Sequence, residues 1–337
     1  MKTKVGVTLL LIAALVLGLV ACSPQGGSSA GSGKIKIGVS LPTLREERWA
    51  VDYRGFVEAA ERLGIDVVIQ VADNNAARQQ SQVENMITQG VKVLIIAPHD
   101  AVAAKQLVEI AHREKIPVIA YDRPITDGGA DLYICVNQFD IGRIMGQHIW
   151  DNAPQGNIVF LKGDASDDTV YPMAEGTMSV LKPRLDSGEY RIVMEQFVVD
   201  WEPANALRLM EQALTANNNN IQGVIAPNDG TAGGVIQALG AQGLAGRVPV
   251  TGQDCETDAI KRIIDGTQGM TILYDNLRMS EAALQAAISL ANKGPSGATG
   301  TDSDGTPLLD FPPVEITRNN YRQALIDTGL MDEDDLH

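Results

Sequence analysis

The stretch KIKIGVSLPTLREERWAVDYRGFVEAAERL, residues Lys34–Leu63, predicts a buried strand, a short polar loop and an amphipathic helix in succession. Ile35, Ile37 and Val39 alternate with their neighbours as side chains along a strand do. From Trp49 onward, apolar residues recur at helical spacing and form one stripe. The loop between the two elements therefore lies at the carboxyl end of a strand, which is where open α/β sheets bind their ligands.

Arg48 and Trp49 stand in this loop and suggest a site for a hydroxylated ring. A guanidinium can hydrogen-bond hydroxyl groups, while an indole can cover an apolar face. The alternative is structural, with Trp49 starting the core-facing stripe of the helix and Arg48 carrying a solvated charge. The stretch by itself leaves both interpretations open.

The N-terminus reads as an export signal followed by a tether. Two lysines precede the apolar run Val5–Val20, which has about the length of a signal-peptide core. The run ends in Leu19–Cys22 (LVAC), which resembles the bacterial lipoprotein signal, whose cysteine becomes the lipidated first residue of the mature chain. We predict a signal peptide at residues 1–21, lipidation of Cys22 and a flexible Gly/Ser tether at residues 22–33. An ordinary cleaved signal and a retained membrane anchor are the alternatives.

Charge and cysteine content exclude several classes of protein. The formal net charge is −15, so binding to nucleic acid through a basic patch is not expected. The three cysteines are too few for a disulfide scaffold. Cys135 and Cys255 lie in apolar, strand-like contexts and are predicted to be buried free thiols, although a bridge between them stays open.

Val- and Ile-rich segments alternate with amphipathic segments from residue 34 to residue 292. Segments such as Val91–Ala97 are continuous apolar runs, typical of strands buried on both faces of a parallel sheet. The pattern predicts two doubly wound α/β units, with the helix Ile141–Asp151 as the passage to the second. Lys293–Pro307 is rich in Gly, Ser, Thr and Asp and is predicted to be a surface excursion, and Val314–Thr317 a last short strand.

Polar and aromatic residues follow the predicted strands of both units. The stretches are Arg48–Trp49, Tyr121–Arg123, Asp164–Thr169, Asp200–Trp201, Asn228–Asp229 and Gly252–Asp254. Carboxyl ends of strands in two facing parallel sheets can converge on one cleft. Guanidinium, indole, amide and carboxylate groups together suit a neutral polyhydroxyl ligand. Each residue also has a structural alternative; Asn228, for example, could cap the helix that begins near Thr231.

No enzymatic motif is present. The sequence has no glycine-rich loop that would cradle a phosphate or a dinucleotide, no nucleophile elbow and no His-Glu-x-x-His zinc motif. We therefore predict a protein without catalytic residues, cofactor or metal.

The stretches after the strands, with several others, carry a resemblance to a known family. They are Leu44–Trp49, Ser81–Ile87, Ala120–Arg123, Val180–Pro183, Ala213–Asn219, Asn228–Gly234 and Gly252–Asp254. In these stretches, and over about residues 34–330, the chain resembles the type I periplasmic sugar-binding proteins of ABC importers. The resemblance implies two doubly wound parallel-sheet lobes joined by a three-strand hinge. It places residues 34–138 and 276–311 in the N-terminal lobe, and residues 139–275 and 312–337 in the C-terminal lobe.

The resemblance also implies a set of ligand-binding residues. They are Arg48, Trp49, Arg123, Asp168, Trp201, Asn228, Asp254 and Asp275. Two positions depart from the family pattern, which has an asparagine in the loop at Asp168 and a lysine at Asp275 in its D-xylose-binding branch. A carboxylate accepts hydrogen bonds where an ammonium donates them, so the departure at Asp275 leaves the identity of the sugar open.

The function implied is that of an extracytoplasmic solute-binding lipoprotein. It would bind a monosaccharide, with D-xylose as the predicted ligand, and deliver it to the permease of an ABC importer by hinge closure. The chain would be a monomer, held at the membrane by its lipid, with no nucleic-acid partner. The alternatives are a sugar-sensing module that presents its ligand to a chemoreceptor or a sensor kinase, and a binder of a different aldose.

Overall fold

The computed structural model describes residues 34–336, in which strands alternate with helices. The strands are β1 (Lys36–Leu41), β2 (Asp66–Val71), β3 (Val93–Ile96), β4 (Val118–Tyr121), β5 (Leu132–Val136), β6 (Gly156–Lys162), β7 (Tyr190–Phe197), β8 (Gly223–Ile225), β9 (Thr271–Leu273), β10 (Gly300–Thr301), β11 (Pro307–Phe311) and β12 (Val314–Ile316). The helices are α1 (Glu47–Leu63), α2 (Ala76–Thr88), α3 (Lys105–Arg113), α4 (Gln138–Asn152), α5 (Val170–Ser187), α6 (Pro203–Ala216), α7 (Asp229–Ala241), α8 (Thr257–Asp265) and α9 (Asn276–Ala291).

The larger sheet has the strand order β10-β11-β5-β4-β3-β1-β2. β1 pairs in parallel with β2 on one side and with β3 on the other, and the β10–β11 pair at the opposite edge is antiparallel. Every residue of β3, β4 and β5 is buried, as expected of strands covered on both faces. The continuous Val/Ile runs thus produce the parallel sheet that they predict.

A second, smaller parallel sheet has β6 at its centre, between β7 and β8. Val250 extends it by a single bridge to Val224. β9 and β12 form a separate antiparallel pair. Strands from both sheets, with the helices that cover them, make up the α/β architecture expected from the sequence.

The chain passes three times between the part of the fold built on the larger sheet and the part built on the smaller sheet. The passages lie between β5 and α4, between β9 and α9, and between β11 and β12. After β9, helix α9 returns to pack against α1 and β3. After β11, which pairs with β5, the chain turns back and β12 pairs with β9. These crossings bring the carboxyl ends of strands from both sheets to one place.

The segment after α9 differs from its prediction as a plain surface excursion. It contains β10, and β11 follows at its end as a member of the larger sheet, in register with β5 from Leu308 opposite Tyr133. β10 has only the residues Gly and Thr, and β11 (PLLDF) is five residues long, so neither strand is long enough to set up a period that would predict it.

Three further observations bear on the sequence predictions. The predicted signal peptide, the lipidation site Cys22 and the tether lie outside the described residues. Between residues 34 and 336, no helix is both long and apolar enough to span a bilayer. Cys135 and Cys255 are free thiols; Cys135 is buried as predicted, while Cys255 is only partly buried.

Candidate ligand-binding site

A cavity of about 30 Å³ lies where the carboxyl ends of strands from both sheets meet. Its lining residues are Glu46, Arg48, Trp49, Asp122, Arg123, Gln138, Asp167, Thr169, Trp201, Asn228, Gln253, Asp254 and Tyr274. The predicted residues that it brings together are Arg48, Trp49, Arg123, Trp201, Asn228 and Asp254. Asp168 and Asp275 are not among the lining residues.

Arg48, in the first turn of α1, is held by two carboxylates. Its Nη2 donates to Asp52 Oδ2 at 3.0 Å, and its Nη1 lies 2.9 Å from Asp122 Oδ1. Burial acts to lower the pKa of Arg48, but Asp122 and Asp52 raise it well above its ordinary value. Asp52 also accepts hydrogen bonds from Tyr121 Oη (2.6 Å) and Asn276 Nδ2 (3.1 Å). The guanidinium is therefore fixed in place by side chains from α1, β4 and α9.

Trp49 serves both the core and the cavity, so its two interpretations are compatible. The side chain is 1% exposed and packs in the main apolar core. The Arg48 guanidinium carbon lies 4.1 Å from the centre of the Trp49 ring, and that of Arg123 lies 5.4 Å from it. Cation–π contacts of this kind add to the rigidity of both arginines.

Arg123 reaches across to the segment that follows β6. Its Nε forms an ion pair with Asp167 Oδ2 at 2.8 Å, and both side chains are buried. Thr169 orients Asp167, because its Oγ1 donates to Asp167 Oδ1 at 2.6 Å and its backbone N–H donates to the same oxygen at 3.1 Å. Burial raises the pKa of Asp167, an effect that Arg123 opposes.

The sequence-based assignment of Asp168 requires a correction. Asp168 accepts a hydrogen bond from Thr126 Oγ1 and lines a different cavity, of about 560 Å³. The neighbouring carboxylate, Asp167, faces the small cavity in its place. The shift by one residue arises because the turn before α5 directs consecutive side chains to different sides.

Asp275 is also placed elsewhere. Its Oδ1 accepts a hydrogen bond from the backbone N–H of Arg278 at 3.0 Å, so the side chain caps α9. It lines a neighbouring groove of about 670 Å³ rather than the small cavity. The residue before it, Tyr274, lines the cavity, and its ring lies 5.4 Å from the Arg48 guanidinium carbon.

Trp201 lines the cavity from the segment after β7, whereas Arg48 and Trp49 line it from α1. It ends the short 3₁₀ turn Val199–Trp201 after β7 and is 8% exposed. Its six-membered ring lies against Gly163, where a methyl group would come within 2.1 Å of the ring. The absence of a side chain at position 163 is thus what lets the indole lie flat at the end of β6.

Asn228 caps α7, as the structural alternative predicted, and also lines the cavity. As the N-cap of α7, its Oδ1 accepts from the backbone N–H of Thr231 at 3.0 Å. Its Nδ2 lies 3.3 Å from Asp254 Oδ2, to which it donates. Burial raises the pKa of Asp254 to about 8, although the charge of Arg48 acts to lower it. Capping the helix therefore leaves the amide nitrogen of Asn228 directed at the cavity wall.

Several lining residues were not assigned from the sequence. They are Glu46, Asp122, Gln138, Asp167, Thr169, Gln253 and Tyr274. Asp122 and Gln253 adjoin assigned residues and share their loops, so adjacency to a motif was the signal that could have found them. Tyr274 donates to Gln253 Oε1 at 2.5 Å, a contact between separate segments that no local pattern reveals.

Three lining residues have backbone conformations that non-glycine residues rarely adopt. The φ angles of Asp122, Trp201 and Asp254 are 64°, 54° and 99°. Such conformations cost on the order of 1–3 kcal/mol each and concentrate at sites that clamp a ligand. Three of the twelve non-glycine residues with positive φ in the described part of the chain therefore line this cavity, in loops from both sheets.

Buried polar atoms without a hydrogen-bond partner also concentrate here. Among the described residues, those that line the cavity are Glu46 Oε2, Arg48 Nε, Asp122 Oδ1, Gln138 Oε1, Trp201 Nε1 and Asp254 Oδ1. Donors and acceptors are mixed, and a hydroxyl group can serve either kind. With both guanidinium charges already paired to carboxylates, the arrangement suits a neutral ligand that carries several hydroxyls.

The geometry offers no metal centre. No group of three or more His, Cys, Asp or Glu side chains between residues 34 and 336 is arranged to hold a metal ion.

Comparisons with known proteins agree with this geometry. A family model described as a periplasmic binding protein domain matches residues 37–295. The chain is 41% identical to the D-xylose-binding periplasmic protein of Escherichia coli, over 91% of this chain and 94% of that protein. It is 36% identical to the D-xylose-binding periplasmic protein of Haemophilus influenzae, over 97% and 99% of the two chains.

A solved structure shares the fold over most of its length. It is a carbohydrate transporter solute-binding protein from Chloroflexus aurantiacus in complex with D-glucose, with a TM-score of 0.82 and 33% sequence identity, covering 89% of this chain and 97% of that one. The matches confirm the resemblance found in the sequence and the two-lobed α/β fold that it implies. The chain belongs to the periplasmic binding protein family.

Proposed function

We propose that this chain is an extracytoplasmic binding protein that holds one monosaccharide, D-xylose, between two lobes and delivers it to an ABC importer. The observation that carries the proposal is a cavity to which loops of both sheets contribute guanidinium, indole, amide and carboxylate groups. D-Xylose is the preferred ligand because the two curated relatives described above are D-xylose-binding proteins. D-Glucose is the second candidate, since it occupies the Chloroflexus aurantiacus structure.

The proposed binding residues are Arg48, Trp49, Arg123, Trp201, Asn228 and Asp254. Asp167 replaces Asp168 in this set, and Asp275 is left out because its carboxylate caps α9. The lobes are proposed to comprise residues 34–138 with 276–311, and residues 139–275 with 312–337. The pairing of β11 with β5 and of β12 with β9 supports this division.

Binding on this proposal requires the lobes to separate and close again. Arg48, Arg123 and Asp254 line the cavity and are only 7%, 8% and 9% exposed, so a sugar can reach them only when the lobes move apart. Arg48 is paired with Asp122, and Arg123 is paired with Asp167. We expect a sugar to enter while the lobes are apart and these side chains are accessible. Closure around the sugar then selects one of two states of the protein.

Calorimetric titration of the purified chain tests the proposal. D-Xylose should bind with a dissociation constant of about 1 μM or lower, which corresponds to about −8 kcal/mol. D-Glucose, D-ribose and D-galactose, titrated under the same conditions, report selectivity among aldoses. Absence of heat with all of these sugars would overturn the proposal, and tighter binding of D-glucose would change the ligand but not the class.

Transport, anchoring and oligomeric state require cellular and hydrodynamic measurements. Deleting the gene for this chain should abolish high-affinity uptake of labelled sugar. If the chain served in sensing instead, the deletion would abolish the cellular response to sugar and leave uptake intact. Lipidation of Cys22 predicts that the protein fractionates with membranes and that Cys22→Ser releases it. Sedimentation should show a monomer. Incubation with sugar should yield no product, because we propose a binding protein without catalytic activity.

A further inference from the structure

The Glu46 carboxylate lines the cavity, yet neither the family resemblance nor the ion pairs of the site account for it. Glu46 immediately precedes α1, and its backbone carbonyl accepts a hydrogen bond from the N–H of Trp49 at 3.1 Å. A short polar side chain at such a position commonly caps the helix. Here the side chain makes no capping hydrogen bond. A helix-capping role therefore does not explain the direction in which the carboxylate points.

The Glu46 side chain is partly buried, and one of its oxygens has no partner. Its Oε2 is inaccessible to solvent and has no hydrogen bond from any described residue. Burial raises the pKa of Glu46, while Arg123, Arg48 and Arg45 lower it. Leaving a buried carboxylate oxygen unpaired is unfavourable. The oxygen is therefore suited to a donor that arrives from outside the protein.

The surroundings of Glu46 indicate which kind of donor fits. Glu46, Arg123 and Trp201 line the ligand cavity and also a smaller cavity beside it. Trp201 Nε1, a donor, is likewise buried without a partner. A hydroxyl group can donate one hydrogen bond and accept others, so it can serve a carboxylate and an indole N–H on the same side of a ligand. A second carboxylate or an apolar group could not.

We infer that Glu46 accepts a hydrogen bond from one hydroxyl group of the bound sugar and selects for sugars that carry that hydroxyl. The inference rests on the proposed sugar-binding function and adds a specificity-determining residue to it. Sites that hydrogen-bond a ligand hydroxyl discriminate strongly against analogues that lack it, because the buried protein group is then left unpaired.

The test compares Glu46→Leu and Glu46→Gln with the unmodified chain, using calorimetry with D-xylose and its monodeoxy analogues. Glu46→Leu should weaken D-xylose binding by about 10- to 100-fold, since an acceptor for one hydroxyl is lost. The melting temperature of the sugar-free protein should stay the same or rise, because a desolvated carboxylate has been removed. Glu46→Gln keeps an acceptor oxygen and should lose less affinity.

The monodeoxy analogues identify the interaction itself. The unmodified chain should bind one analogue much more weakly than D-xylose, and Glu46→Leu should bind that analogue and D-xylose about equally. Glu61→Leu, which removes an exposed carboxylate at the far end of α1, is the matched control and should bind D-xylose as the unmodified chain does.

The outcomes separate the two proposals. If the unmodified chain binds D-xylose and Glu46→Leu binds it within about twofold, the inference on Glu46 is overturned and the proposed function stands. The inference on Glu46 is also overturned if Glu46→Leu weakens the binding of D-xylose and of every analogue by the same factor. If the unmodified chain binds no sugar at all, both proposals fall.

Discussion

Arg123 Nε lies 2.8 Å from Asp167 Oδ2, and this buried ion pair joins the loop after β4 to the loop after β6. The two loops belong to different sheets, so the pair spans the candidate site. Thr169 holds the carboxylate through two hydrogen bonds of 2.6 and 3.1 Å to Asp167 Oδ1. Arg123 is thereby presented to the cavity in one orientation.

We predict that Asp167→Asn weakens sugar binding by about tenfold and lowers the free energy of unfolding by about 1–3 kcal/mol. The substitution leaves Arg123 buried opposite a neutral amide, and breaking a buried pair is costly. Asp168→Asn is the matched control, because Asp168 contacts Thr126 in another cavity. Calorimetry and urea unfolding measure the two effects. An equal or larger loss of affinity for Asp168→Asn would restore the original assignment.

Gly163→Ala should weaken binding without disturbing the rest of the fold. A methyl group at position 163 would come within 2.1 Å of the Trp201 ring, so the indole must leave its place in the cavity wall. The expected loss of affinity approaches that of Trp201→Ala.

Gly230→Ala provides the control for the change at position 163. Its methyl group would meet Pro203 at 3.5 Å, an ordinary contact, although Gly230 lies beside Asn228. Because alanine favours a helix interior over glycine, this variant should be slightly stabilised and should bind normally. Tryptophan fluorescence and calorimetry follow both variants, and normal binding by Gly163→Ala would remove Trp201 from the site.

The stability of the sugar-free protein should fall as the pH rises towards 8. Burial raises the pKa of Asp254 to about 8, against an ordinary value of about 3.9 in an unfolded chain. Between these values the folded state binds more protons than the unfolded state, so the free energy of unfolding decreases with increasing pH. Stability from this group is fully present below about pH 4 and is lost through about pH 8.

The variant Asp254→Asn isolates this contribution. Between pH 5 and pH 8, its free energy of unfolding should fall by about 1–3 kcal/mol less than that of the unmodified chain. Urea unfolding measures this difference. Burial, together with the charge of Asp254, raises the pKa of Asp229 to about 7, so the variant also reduces the part due to Asp254. Identical pH profiles for the two proteins would contradict the prediction.

Glu47 and Thr257 form a contact between the first turns of α1 and α8 that should prolong the life of the sugar complex. Glu47 accepts hydrogen bonds from Thr257 Oγ1 at 2.8 Å and from its backbone N–H at 3.1 Å. The contact is exposed, so its coupling free energy should be about 0.5–1 kcal/mol. Glu47→Ala should raise the dissociation rate of the sugar several-fold.

A double-mutant cycle with Thr257→Val measures that coupling. Thr257→Val removes the hydroxyl donor and leaves the backbone donor, so the two substitutions together should cost less than the sum of each alone. Stopped-flow fluorescence gives the rates. Strictly additive effects would show that Glu47 and Thr257 act independently of one another.

The sequence alone determined the α/β class and predicted about half of the residues that line the cavity. Continuous Val/Ile runs are typical of strands buried on both faces, so composition and spacing predicted the parallel sheets. Arg48, Arg123, Trp201, Asn228 and Asp254 were identified because they follow predicted strands, and parallel strands bring such positions to one edge.

Only the tertiary structure decided which side chain of each loop faces the cavity. Asp167 points inward because Thr169 and Arg123 bind it, while Asp168 turns to Thr126 and Asp275 caps α9. Glu46 faces the cavity although its position favours capping α1. Irregular loops have no regular alternation of side-chain directions. The direction of each loop side chain therefore depends on contacts with residues distant in the chain. Those contacts exist only once both sheets have come together.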